Sequence, residues 1–189
     1  MNDKHVYIVG GANGTGKTTV AKEFIATSHQ YFLNADEIAK EYNPLDTEGG
    51  KIEAGRELKK RIEKLIENGE SFVIESTLSG LYMQKLLKRL KTLGYKLSLL
   101  YVFLDNAEMS IERVEMRFNE GGHYIPPEDI IRRFARSRNN FWCKYRYLVD
   151  EWNLFYNGNE MAALVAYGEN DSYQVNDSKM MLKFMEGVL

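Results

Sequence analysis

The stretch Gly11-Ala12-Asn13-Gly14-Thr15-Gly16-Lys17-Thr18, continued by Thr19, has the G-x-x-x-x-G-K-[ST] spacing of a phosphate-binding loop. Glycines at those positions let the backbone curl so that successive N–H groups converge on phosphate oxygens. Lys17 is then spaced to reach the β- and γ-phosphates of a nucleoside triphosphate, and Thr18 to offer its hydroxyl to Mg²⁺. The flanks suit the loop. Ahead of it runs Val6-Tyr7-Ile8-Val9, which reads as a buried strand, and behind it Val20, Ala21, Phe24 and Ile25 fall on one face of a helix over 17–28. A helix N-terminus there adds partial positive charge beneath the phosphates. No Asn-Lys-x-Asp guanine-reading motif is present, so ATP with Mg²⁺ is the expected ligand pair.

Carboxylates just past other apolar runs are the next candidates, because open α/β sheets bind ligands at the carboxyl ends of their strands. Asp36 follows Phe32-Leu33-Asn34-Ala35 and is placed to take the proton of an attacking hydroxyl. Its other reading is local: Asn34 and Glu37 form a capping box, and Asp36 favours the first turn of a helix. Glu75 ends Ser71-Phe72-Val73-Ile74 and can hold the metal's water shell or bond a substrate hydroxyl, with Thr77 beside it on the acceptor side. Asp105 ends another apolar run, but it or Asn106 reads as a helix cap. Between 113 and 137 two helices flank Gly121-Gly122-His123 and form a lid. Arg113 and Arg117 lie one turn apart there, as do Arg132 and Arg136, while Arg133 and Arg136 are three residues apart, so that Arg117, Arg133 and Arg136 are candidates to neutralise a transferring phosphoryl group. A solvated basic face is the alternative. Arg56, at the start of a covering helix, is a further candidate substrate contact. His5, His29 and His123 are too scattered to suggest zinc.

Apolar runs near 5–10, 31–34, 71–75 and 96–104 alternate with helical patterns over 17–28, 36–42, 50–68, 80–93, 107–120 and 127–149. That alternation predicts an α/β three-layer sandwich of the P-loop type, with a mainly parallel five-stranded sheet. Trp152–Tyr156 and Ala162–Tyr167, flanking Asn157-Gly158-Asn159, predict a C-terminal hairpin that adds an antiparallel edge strand before a last helix from about Asp177. The 189 residues form one domain, with no repeat or linker. A net charge of −2 gives no argument for nucleic acid or membrane, and the arginine run from Arg132 to Arg146 is the exception that invites an anion. Cys143 has no partner for a disulfide and is expected to pack among Phe141, Trp142 and Tyr145, aromatic residues that read as core rather than as a base-stacking platform. With no signal-like or membrane-length apolar stretch, a soluble cytoplasmic protein is expected.

The order of these motifs resembles the zeta-toxin family of P-loop kinases, especially its short bacterial members. The resemblance runs from Gly10–Thr19 through Phe32–Ile38 and Ile74–Gly80 to Arg113–Arg117, Gly121–His123 and Ile131–Ser137. It implies ATP and Mg²⁺ as cofactors and phosphorylation of a sugar hydroxyl, that of UDP-N-acetylglucosamine in the characterised toxins. It also implies Lys17 and Thr18 on phosphate and metal, Asp36 as base, Glu75 and Thr77 facing the acceptor, and lid arginines on the γ-phosphate; an antitoxin partner is not demonstrable from this chain. The chain departs where Glu37-Ile38-Ala39-Lys40 stands in place of the toxins' arginine near a histidine-proline, and in its Gly-Gly-His lid. The expected nucleotide and fold are independent of those departures, which bear on the acceptor, toxicity and the need for an antitoxin. The leading expectation is a small-molecule kinase; the alternative is an ATP-hydrolysing switch acting on a protein partner, and a nucleic-acid ATPase has only the basic run behind it.

Overall fold

In the computed structural model, β1 (His5–Gly10) divides its side chains between two helical layers: Val6 and Ile8 enter one apolar cluster, Tyr7 and Val9 the other. The structure describes residues 4–28, 30–42, 51–122, 124–158 and 161–188; His29, His123 and Asn159 lie outside them. After β1 come α1 (Lys17–Ser28), β2 (Tyr31–Leu33), α2 (Ala35–Tyr42), α3 (Lys51–Glu67), β3 (Phe72–Ser76), α4 (Tyr82–Thr92) and β4 (Lys96–Phe103). They are followed by α5 (Ala107–Asn119), α6 (Pro127–Cys143), β5 (Glu151–Tyr156), β6 (Ala163–Glu169), β7 (Ser172–Val175) and α7 (Ser178–Glu186). One sheet takes the order β2-β3-β1-β4-β5-β6-β7, parallel from β2 to β5 and antiparallel from β5 to β7. Ala21 of α1 packs on Val9, Val73 and Val102 on one face. Leu86, Leu87 and Leu90 of α4, Phe141 of α6 and Phe184 of α7 cover the other. This is the P-loop sandwich with the expected five parallel strands and antiparallel hairpin. The seventh strand, β7, is unexpected: every residue of Ser172-Tyr173-Gln174-Val175 is exposed, so no apolar alternation marks it.

Two further differences have local causes. The helix expected over 127–149 stops at Cys143, because Lys144 leaves helical geometry and a single 3₁₀ turn, Tyr145–Tyr147, follows. Tyr145 OH donates to Gly80 O at 2.7 Å and the Arg146 guanidinium to Asn170 O at 2.5 Å, contacts that redirect the chain. Cys143 itself is exposed rather than packed. The arginine run likewise does not form one face. Arg138 and Arg146 are buried, whereas Arg132 and Arg133 pair with Asp129 at 2.5 and 3.2 Å.

The crossovers fix where a ligand can bind. β1 connects past β3 to β2, and β3 connects past β1 to β4, so their connections leave in opposite directions and a crevice opens between their carboxyl ends. Among the described residues no helix is long and apolar enough to cross a membrane.

Candidate active site

Parallel register sets Val9 beside Glu75 and Gly10 beside Ser76, which brings the Glu75 carboxylate to the root of the phosphate loop. A cleft of about 480 Å³ opens there. Asn13, Gly14, Gly16, Lys17, Thr18 and Thr19 line it from the loop; Asp36 enters from the first turn of α2, Glu75 and Thr77 from the exit of β3, and Arg113 and Arg117 from α5. Gly11, Ala12 and Thr15 form the underside. Gly11 lies against Val102 O, and the Thr15 hydroxyl donates to Ala12 O at 3.0 Å.

Two glycines allow close approaches that hold the loop. At Gly14, with φ +76°, a Cβ would fall 2.6 Å from Ser110 O, so the first turn of α5 rests on the loop backbone. At Gly16, with φ +88°, a Cβ would fall 2.2 Å from Asn157 Nδ2, which donates to Thr15 O at 2.9 Å from just past β5. Behind the β3 side of the cleft Leu78 takes φ +56°, a costly conformation for a branched side chain. It is held by burial, by Asn140 Nδ2 donating to Leu78 O at 2.9 Å, and by Leu78 N donating to Ser76 Oγ at 3.1 Å.

Inside the cleft one carboxylate gathers three partners. Glu75 Oε2 accepts from the Thr18 hydroxyl at 2.8 Å and from Asn34 Nδ2 at 2.7 Å, while Oε1 lies 3.7 Å from Lys17 Nζ. Lys17 also donates to Ala12 O at 2.7 Å. Burial holds the Lys17 ammonium below the usual lysine range; Glu75 and then Asp36 oppose that shift, and Arg117 reinforces it. The donor set suits a hard cation. Thr18 commits its proton to Glu75 and keeps oxygen lone pairs free, and an anionic oxygen stands beside them. Asp36 is exposed to the cleft, and its backbone N–H is capped by Asn34 Oδ1 at 2.7 Å, as is that of Glu37 at 3.2 Å.

Residues 2–166 match the family model described as Zeta toxin. The chain belongs to the zeta toxin family. A relative in Haemophilus influenzae, an uncharacterized protein, is 32% identical over 132 residues, which are 70% of this chain and 92% of that protein. Among solved structures, the AvrRxo1-ORF1:-ORF2 complex with ATP contains a chain that superposes with a TM-score of 0.74 at 19% identity, over 99% of this chain and 65% of that one. This zeta toxin family member thus spans less than two thirds of that chain. The PezAT toxin–antitoxin system of Streptococcus pneumoniae superposes at 0.65 and 17% identity, over 99% of this chain and 86% of the other. Those two likenesses concern the P-loop kinase fold.

Within this family member the expected site residues divide into two groups. Lys17, Thr18, Thr19, Asp36, Glu75, Thr77 and Arg117 share the cleft. Arg56, Arg133 and Arg136 are not among the residues lining it: Arg56 is exposed on α3, Arg133 pairs with Asp129 within α6, and Arg136 is exposed on α6. Asn106, not Asp105, caps α5, its Oδ1 accepting from Met109 N at 3.0 Å. Asp105 instead meets Lys183 Nζ at 2.8 Å and the Tyr156 hydroxyl at 2.9 Å. The sequence reading missed Tyr82 and Lys40 on the cleft wall, the second bond of Asn34, and the grip of Asn157 on the loop. Only Asn34 carried a signal, as a helix cap.

Proposed function

We propose that the protein transfers the γ-phosphoryl group of ATP to a hydroxyl of a small molecule, with a nucleotide sugar such as UDP-N-acetylglucosamine the first acceptor to test. The observation that carries this reading is the meeting of phosphate-side Lys17 and Thr18 with acceptor-side Asp36 and Thr77 across one cleft. Lys17, the loop N–H groups and the start of α1 hold the phosphates, and Arg113 and Arg117 meet the transferring group from α5. Thr18 and Glu75 would hold Mg²⁺, which when bound neutralises phosphate charge. Asp36 takes the proton of the acceptor hydroxyl as its oxygen bonds to the γ-phosphorus and the bond to the bridging oxygen breaks, releasing ADP. Positioning and charge supply most of the catalysis. The toxin–antitoxin pairing named for PezAT, with the two-protein AvrRxo1-ORF1:-ORF2 complex beside it, supports an antitoxin-type protein as binding partner.

The test is ³¹P NMR of the protein with Mg²⁺-ATP, with and without UDP-N-acetylglucosamine and a pool of hydroxyl-bearing metabolites, beside Lys17→Ala and Asp36→Asn. A new phosphomonoester resonance is expected, lost in Lys17→Ala and slowed about 10²–10⁴-fold in Asp36→Asn. Inorganic phosphate alone, released equally by Asp36→Asn, would show an ATPase without a catalytic base at Asp36.

A further inference from the structure

Asn34 occupies a single-residue junction between β2 and α2 and is nearly buried. Register places Leu33 beside Ile74, so the next residue of each strand, Asn34 and Glu75, meet at the sheet's carboxyl edge. The two ends of the Asn34 amide then do different things. Its oxygen receives two backbone N–H groups, those of Asp36 and Glu37, and its nitrogen donates to Glu75 Oε2. The neighbours fix that orientation, since the reverse flip would set an NH₂ group against two N–H donors and an oxygen against a carboxylate.

We propose that Asn34 is a positioning residue, a bridge that fixes the Glu75 carboxylate relative to the turn of α2 carrying Asp36. This rests on the kinase reading of the cleft. Glu75 Oε2 takes both Asn34 and Thr18, which leaves Oε1 directed at Lys17. Without the Asn34 donor, the carboxylate can rotate between Lys17 and Thr18, and the metal side of the cleft loses its fixed relation to Asp36. A helix cap alone would not need this second bond, because serine and aspartate cap as well as asparagine.

Those two substitutions separate the roles. Asn34→Ser keeps a capping oxygen but cannot also reach Glu75. Asn34→Asp keeps the cap and sets a second carboxylate against Glu75. The measurements are thermal unfolding, Mn²⁺ affinity by electron paramagnetic resonance with a non-hydrolysable ATP analogue, and kcat and KM for ATP. Asn34→Ser keeps the cap but loses a hydrogen bond to a carboxylate, so it is expected to melt about 3–10 °C below the wild type, where loss of nothing but cap quality would leave Tm within about 2 °C. Its Mn²⁺ affinity and kcat should fall about 10–100-fold, as for partners that orient metal-holding groups, while KM for ATP stays within about threefold. Asn34→Asp, which keeps the cap but has no N–H to give Glu75, should lose kcat to at least the same extent. Wild-type Mn²⁺ affinity and kcat in Asn34→Ser, or wild-type kcat in Asn34→Asp, would reduce Asn34 to a cap and overturn the proposal. If the wild-type protein binds Mn²⁺ and nucleotide but phosphorylates no acceptor, the kinase reading fails, and the Mn²⁺ titration of Asn34→Ser still decides the bridge.

Discussion

Lys17 and Glu75 should respond unequally to neutralisation, although they face each other. Their side chains are 7% and 10% exposed, and Nζ lies 3.7 Å from Oε1. At an effective dielectric near 20, that separation corresponds to an attraction of about 4 kcal/mol, partly offset by the cost of taking both charges out of water. Glu75→Gln removes the attraction, weakens two hydrogen bonds to a charged acceptor, and turns an amide NH₂ towards the buried ammonium. We expect a loss of about 2–4 kcal/mol, or roughly 5–15 °C in Tm for a chain of this size. Lys17→Met also removes the attraction, but it deletes a desolvated cation and leaves Glu75 with its Thr18 and Asn34 donors, so its loss should be the smaller one, about 1–2 kcal/mol. Lys17→Met should nonetheless lose the stabilisation by Mg²⁺-ATP, which is about 2.7 kcal/mol at a hundredfold excess over Kd. The pH dependence has a definite sign. Because the folded pKa of Lys17 is depressed, the unfolded chain holds a proton that the folded protein has released between that value and 10.5. The stability of the wild type relative to Lys17→Met therefore rises with pH through that window and levels off above 10.5. Urea titrations of both variants from pH 7 to 11 test this. Equal losses in the two variants, or a wild-type advantage that shrinks with rising pH, would refute the account of a desolvated lysine held by Glu75.

Asn157→Ala removes the donor that holds Thr15 O, and should raise the Kd of a fluorescent ATP analogue about 5–10-fold while costing about 1 kcal/mol in urea unfolding; unchanged affinity would show that the loop holds its shape unaided. Arg138→Leu should cost about 2–4 kcal/mol by the same unfolding measurement, because the buried guanidinium donates to Leu104 O at 2.6 Å and stands over Phe103, Phe134 and Phe184 at 4.9–5.6 Å. A loss under about 0.5 kcal/mol would mean that leucine replaces those contacts.

The parts of the protein legible in the sequence are those whose physics is local. The spacing of Gly11 to Thr18 is itself the chemistry of the loop, and the unbroken apolar run Val6-Tyr7-Ile8-Val9 already reads as a buried strand, whose two faces the structure shows to be covered. Long-range contacts were not legible in the same way. Asn34 reads as a cap because its bonds to Asp36 and Glu37 are two and three residues away, whereas its bond to Glu75 spans 41 positions and exists only through the β2–β3 register. Asn157 reaches Thr15 across 142 positions, which no turn signal announces. The arginines show the same boundary. One-turn spacing made Arg113 and Arg117 equivalent to Arg132 and Arg136, and the tertiary anchor breaks that equivalence. Ser110 O sits on the loop at Gly14, so Arg113 follows about 4.5 Å and Arg117 about 10 Å further along α5, a reach matched to the cleft both of them line. Arg133 is held by Asp129 on its own helix. A periodicity assigns residues to a face, and the contact between Gly14 and Ser110 decides which face lines the cleft.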